Sequence, residues 1–157
     1  MEKNFWEGNV LEIFLFPTLD APGQRVTEAH LVPGRGIEGD RHYLQAEGTA
    51  EDEEPGYEVT LIESEAIVAV QEETRKQFEA HSLWRNIVTS GFSVSHLVGR
   101  EFQIGTVRLC GLALYEPSPL FMDVVGHKVA VSFMHRGGLV AAILTEGTIQ
   151  VGDDIHE

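Results

Sequence analysis

Apolar positions along this chain gather in short runs broken by glycine, proline and charge, which predicts many brief strands and few helices. Gly8 to Phe16 contains Val10-Leu11-Glu12-Ile13-Phe14-Leu15-Phe16 and predicts a core strand stopped by Pro17. Thr18 to Val26 carries Pro22-Gly23 and reads as a loop, after which Thr27 to Pro33 reads as a second strand entering the Gly34-Arg35-Gly36 turn. Glu58-Val59-Thr60-Leu61-Ile62 predicts another strand. Behind it, Ser64 is expected to cap a helix from about Glu65 to Ala80 that puts Ala66, Ile67, Val70, Thr74 and Phe78 on or near one face.

Trp84 to Gly91 then reads as a turn entering an extended segment, and Ser93 to Leu97 as a short helix closed by Gly99. Strands are predicted over Glu101–Ile104, Val107–Leu114, Leu139–Leu144 and Thr148–Val151, the last two flanking a tight Glu146-Gly147 turn. Phe121 to Met134 is apolar enough for one helix, although Gly126 and the β-branched valines weaken it. Strand and helix do not alternate regularly, so a doubly wound parallel sheet fits poorly. A mainly β, closed-barrel-like core with a few packed α-helices fits better.

At 157 residues the chain is expected to form one domain spanning 1–157. Its apolar share of 43% and charged share of 23% are those of a soluble globular protein, and no run approaches the roughly 20 apolar residues of a membrane span. The first residues lack a basic region followed by an apolar core, so the cytoplasm is the expected location and no membrane partner is expected. A formal charge of −14 argues against nucleic acid, which requires a continuous basic face. The acidic stretch Glu47 to Gly56 reads as a solvated loop, with a lid over a site as its functional alternative. Cys110 is the single cysteine, and the seven histidines include no H-E-x-x-H spacing, so no structural metal is expected unless His42 and His135 converge.

An acidic protein that binds a small anion must gather positive charge locally. Arg35, Arg41, Arg85 and Arg136 all lie in or beside turns containing glycine or asparagine. Two of those turns form motifs, Gly36-Ile37-Glu38-Gly39-Asp40-Arg41-His42 and His135-Arg136-Gly137-Gly138-Leu139. Glycine lets backbone N–H groups approach a ligand, and arginine offers a planar fork to an oxyanion, so the pair predicts an anion site. The plain alternative is surface arginines paired with carboxylates, and glycines that only permit sharp turns.

These motifs, with the Val59–Ile62 strand, Arg85-Asn86-Ile87-Val88-Thr89-Ser90-Gly91 and Leu97-Val98-Gly99-Arg100-Glu101-Phe102-Gln103-Ile104-Gly105, resemble the MOSC domain over roughly residues 8 to 155. That domain occurs at the C-terminus of molybdenum-cofactor sulfurases and as stand-alone bacterial proteins. The resemblance implies a closed barrel of the MOSC and pyruvate-kinase barrel-domain type. It also implies binding of the molybdenum-pterin cofactor or a related anionic sulfur-containing ligand, and sulfur carriage to metal-sulfur centres. By position it nominates Arg41, His42, Arg85, Asn86, His135, Arg136 and Gly137 as cofactor-binding, and a molybdoenzyme or a sulfur donor protein as partner.

One departure bears on the chemistry. Family members usually carry cysteine in a pattern like Glu-Pro-Cys, whereas this chain reads Glu116-Pro117-Ser118-Pro119. A hydroxyl neither ionises near neutral pH nor holds a sulfane sulfur, so relay through Ser118 by the usual route is excluded. The remaining readings are that Cys110 stands in, that Ser118 ligates a hard metal, or that the domain is a non-catalytic binding or regulatory module. A separate class is a hydrolase or transferase with Ser118 as nucleophile and His42 or His135 as base.

Overall fold

In the first strand a bulge decides which side chains face inward. β1 (Gly8–Leu15) pairs with β6 (Ile87–Ser90), and the register slips between Val10 and Glu12. The extra residue lets both Val10 and Ile13, an odd interval apart, enter the same core, while Phe14 faces the opposite side. The computed structural model describes residues 7–18, 22–41, 43, 58–117 and 119–157.

The other barrel strands are β5 (Val59–Glu63), β7 (Glu101–Ile104), β8 (Val107–Leu114), β9 (Leu139–Ile143) and β11 (Asp154–His156). They run in the order β11-β7-β8-β9-β5-β6-β1, and β1 closes onto β11 through Gly8↔Ile155 and Asn9↔Asp154. The result is a closed seven-stranded barrel, which leaves its members no free edges at the paired positions. β5 and β6 form its parallel pair, joined by α1 (Ser64–Thr74) as the crossover.

Alternation along the strands sorts two cores. Ile13, Leu61, Ile87, Leu109, Leu139 and Ala141 fill the barrel, whereas their neighbours Phe14, Ile62 and Val88 pack outward beneath the helices. The outer core is covered by α1, α2 (Pro119–Val125) and α3 (His127–Ser132), to which Phe121 of α2, Val129 and Ala130 of α3 and the following Phe133 contribute. β2 (Gln24–Val26) extends the sheet from β1. A second sheet, β10 (Gly147–Gln150), β3 (Glu28–Val32) and β4 (Gly36–Ile37), sends Ala29, Leu31, Ile37 and Ile149 into the barrel core.

Several predicted elements differ from those observed. The Leu139–Leu144 and Thr148–Val151 strands exist, but β9 pairs with β8 and β5 while β10 pairs with β3, so they do not form a hairpin. Ser64 is the first residue of α1 and does not cap it; Glu63 occupies that position without a side-chain capping bond. The helix stops at Thr74 because Arg75 turns left-handed at φ 56°, and Phe78 reaches the outer core from the extended return instead. The single helix expected over Phe121–Met134 is two, divided at Gly126 with φ 93°. The acidic stretch 47–56 lies outside the described residues. Among the described residues no helix is long and apolar enough to cross a membrane.

Candidate functional site

Thr60 is a buried polar residue between Val59 and Leu61, and its position in β5 demands a partner inside the fold. Asn86, immediately before β6, supplies it. The Asn86 side-chain oxygen accepts from the Thr60 N–H and hydroxyl, both at 3.1 Å, and the Thr60 hydroxyl oxygen accepts the Asn86 N–H at 3.0 Å. The Asn86 amide donates to the Phe14 carbonyl and to Asp40 Oδ1, each at 3.1 Å. Asp40 Oδ1 also accepts the Phe16 N–H at 2.9 Å. Asn86 and Asp40 are 2% and 0% exposed, so this network is wholly internal. It ties the first glycine motif, through Asp40, to β1 and β5.

Arg85 performs the matching task toward the second motif. Its Nε donates to the Gly137 carbonyl at 2.7 Å and its Nη1 to the Leu83 carbonyl at 2.9 Å. The guanidinium lies 3.5 Å from the centroid of the Tyr115 ring and 5.3 Å from that of Phe121. Arg85 is 1% exposed, and a planar, weakly hydrated cation stacked on aromatic rings suits that burial. The dipeptide Arg85-Asn86 is thus a clasp with one glycine turn on each side. The glycines beside Arg85 are set by close approach: a Cβ on Gly138 would stand 2.3 Å from the Leu61 carbonyl oxygen and 3.2 Å from Arg85 Nε.

The two segments at this end of the barrel lie side by side. Tyr115 donates its N–H to the Gly138 carbonyl at 2.7 Å, continuing the β8–β9 ladder past its end. Glu116 accepts the His135 N–H at 3.1 and 3.4 Å through its two carboxylate oxygens, and its Oε2 lies 3.7 Å from His135 Nδ1. His135 is left-handed at φ 67°, a conformation that costs a non-glycine residue about 1–3 kcal/mol, and its side chain is 81% exposed. Arg136 turns away toward the helices, donating to the Ser132 carbonyl at 2.7 Å and pairing with Glu73, whose carboxyl it holds below the usual range chiefly by that hydrogen bond.

The nominated residues therefore separate by role. Arg85 holds Gly137 and Asn86 holds Asp40 inside the fold, Arg136 joins α1 to α3, and His135 stands exposed beside Glu116. Arg41 is half-buried, its N–H donates to the Phe16 carbonyl at 3.1 Å, and it takes part in none of the ion pairs formed among the described residues. His42 and Ser118 lie outside the described residues. Cys110 is half-buried in β8 opposite Ala142 and Glu101, roughly 16 Å along an extended strand from Tyr115.

Sequence reasoning passed over Asp40, Thr60, Tyr115 and Glu116. Thr60 alone carries a signal, a hydroxyl between two apolar strand residues; the partners of the others depend on the fold. Among the described residues no three His, Cys, Asp or Glu side chains gather as a metal site. An open groove of about 570 Å³ beside α1 is lined by Val68, Gln71, Glu72, Arg75 and Gln77, none of which belongs to the motifs.

Comparison with known proteins places these features. Residues 48–156 match the family model for the MOSC domain, a stretch that contains four of the five resembling segments and begins after Gly36–His42. No protein of curated sequence matches the chain. The fold is similar to the crystal structure of the YuaD protein from Bacillus subtilis, with TM-score 0.81 and 14% identity over 96% of this chain and 97% of that one. It is also similar to YiiM from Escherichia coli, with TM-score 0.71 and 17% identity over 96% of this chain and 68% of that one. YiiM from Geobacillus stearothermophilus gives TM-score 0.68 and 13% identity over 95% and 74%.

Proposed function

We propose that this chain, which belongs to the MOSC domain family, binds the molybdenum-pterin cofactor or a related anionic sulfur-containing ligand at the barrel end that carries its two glycine turns. The observation that supports this reading is the Arg85-Asn86 clasp. It joins Asp40 of one turn to Gly137 of the other through two buried side chains, so that two segments far apart in sequence are held in one place. A rigid backing of this kind is what a binding turn needs if its N–H groups are to meet an oxyanion without reorganising.

The residues present suit the anionic parts of such a ligand. Arg41 offers a guanidinium with no ion pair among the described residues, His135 an exposed imidazole, and the turns backbone N–H groups. Arg85, Asn86 and Gly137 act in this reading as the scaffold beneath them, and Arg136 fixes the turn against the helices. The cofactor, when bound, supplies a redox-active metal with sulfur ligands. The chain's part is to hold its oxyanion groups and to present Tyr115 and Glu116 beside them, in the cytoplasm where a molybdoenzyme or sulfur donor is the partner.

The test is metal and pterin analysis of protein purified from a molybdate-supplied host able to make the cofactor, with cyanolysis for labile sulfur on the same sample. Bound molybdenum and pterin are expected, and Arg41→Ala is expected to lower their retention about tenfold without changing the fold, as loss of a charge-assisted contact would. Protein free of both metal and pterin would refute the reading.

A further inference from the structure

His135 holds a conformation better suited to glycine. At φ 67° it is left-handed, although the same turn already contains Gly137 and Gly138, so a glycine at this point would relieve the strain. Its side chain is 81% exposed, so the imidazole adds no core packing in compensation. Strain kept at an exposed histidine calls for a structure that enforces it.

Several contacts hold the turn. The Arg136 N–H donates to the Phe133 carbonyl at 3.0 Å across His135, Arg85 Nε donates to the Gly137 carbonyl at 2.7 Å, and the Tyr115 N–H donates to the Gly138 carbonyl, also at 2.7 Å. A further one acts on His135 itself: the Glu116 carboxylate accepts its N–H at 3.1 and 3.4 Å. The same carboxylate lies beside the ring, with Oε2 3.7 Å from Nδ1. A neighbour on one ring nitrogen leaves the other for a ligand.

We infer that Glu116 is a positioning residue, which by clamping the His135 N–H keeps that residue left-handed and presents its imidazole at the ligand-facing turn, with Nε2 left to meet an oxyanion. This rests on the reading of the two turns as a ligand site. Glu116 acts through His135 and the turn, and its value lies in fixing where the imidazole stands before a ligand arrives.

The clamp and the ligand are tested separately. Melting temperatures are measured for the wild type, Glu116→Ala, Glu116→Gln, His135→Gly and the Glu116→Ala/His135→Gly double variant, with the ring ¹H–¹⁵N signals of His135 recorded where it is present. Glu116→Ala is expected to lower Tm by about 2–4 °C and to shift the His135 ring signals. Glu116→Gln, whose amide oxygen still accepts the N–H, is expected to restore both. The His135→Gly background keeps the N–H that Glu116 holds and has no strain to release, so Glu116→Ala should lower Tm there by at least as much as in the wild type. A smaller loss in the His135→Gly background than in the wild type, or unmoved ring signals in Glu116→Ala, would overturn the inference. Inorganic molybdate is then titrated: it should move the His135 Nε2 signal in the wild type and bind about tenfold more weakly to Glu116→Ala. A wild-type ring indifferent to molybdate, with the melting cycle as expected, supports the clamp and removes the oxyanion as its purpose.

Discussion

Asn86 fills its bonding capacity with partners drawn from three separate parts of the chain: Phe14, Asp40 and Thr60. Truncating it leaves a buried carbonyl, a buried carboxylate oxygen and a buried hydroxyl short of a partner at once. Asn86→Ala is therefore expected to cost about 2–4 kcal/mol in urea unfolding with an unchanged m-value, and a loss under about 1 kcal/mol would mean that the network does not hold the first turn. Much of this was legible in the sequence as residue type and little of it as role. Arg85 and Asn86 were singled out for their chemistry, but burial of both at 1% and 2% exposure makes them internal fasteners, a fact set by strands that arrive from elsewhere in the chain. The sequence offers Gly137 and Gly138 as an approach to a ligand or, alternatively, as turn formers, whereas the nearer constraint on Gly138 is space. Gly138 faces the Leu61 carbonyl and the Arg85 side chain, and only a hydrogen fits there.

Elements were legible where a strand or helix carries its own pattern, and illegible where a neighbour creates it. β7 and β8 alternate clearly and were predicted over the residues they occupy, while β2, β4 and β11 are two or three residues long and exist through their partners. The expected β9–β10 hairpin fails for a reason no local pattern contains: β8 and β5 already flank β9, and a strand has two edges. Gly126 tests the division of the last helical stretch. A Cβ there meets nothing within 4 Å, so Gly126→Ala should cost only the strain of a backbone at φ 93° and ψ 150°, about 1–3 kcal/mol by denaturant unfolding. Gly138→Ala adds a clash against backbone to its own positive φ and should cost more. The β3–β4 turn is held by Glu58, 6% exposed, which accepts the Gly34 N–H. Burial is the largest influence on that carboxyl and raises it above its usual value of 4.5, against the lowering effect of hydrogen bonds from Gly34 and Ile143. The folded state then binds more protons than the unfolded state between those two values, so the Glu58 contribution is complete below pH 4.5 and is lost as pH rises through the raised value. Glu58→Gln keeps an acceptor without the charge. Its urea midpoint should fall less than the wild type's as pH rises through this window, and parallel pH profiles would refute the assignment.

Across the whole molecule the barrel is closed by pairing the first strand with the last, so the turns at its end are fixed by contacts that span nearly the full chain. Sulfur chemistry, if this scaffold supports it, should then depend on which atom, sulfur or oxygen, is hung at position 118, a serine in this chain. The two atoms differ in kind: a thiolate attacks the sulfane sulfur of a persulfide, forming a new S–S bond as the donor's S–S bond breaks and its thiolate leaves, whereas a serine hydroxyl does not. Cys110 competes as the existing thiol, half-buried in β8 and roughly 16 Å along the strand from Tyr115. The decisive comparison is made in a Cys110→Ala background. There the protein is treated with glutathione persulfide, desalted and assayed by cyanolysis, with and without Ser118→Cys. About one cyanide-labile sulfur per chain is expected with Ser118→Cys and none without it. That result would mean that the scaffold presents position 118 to a sulfur donor and that the serine oxygen is what withholds sulfur uptake. No labile sulfur in either protein would mean that the segment does not offer the position at all, which would confine the proposed function to ligand binding at the two turns.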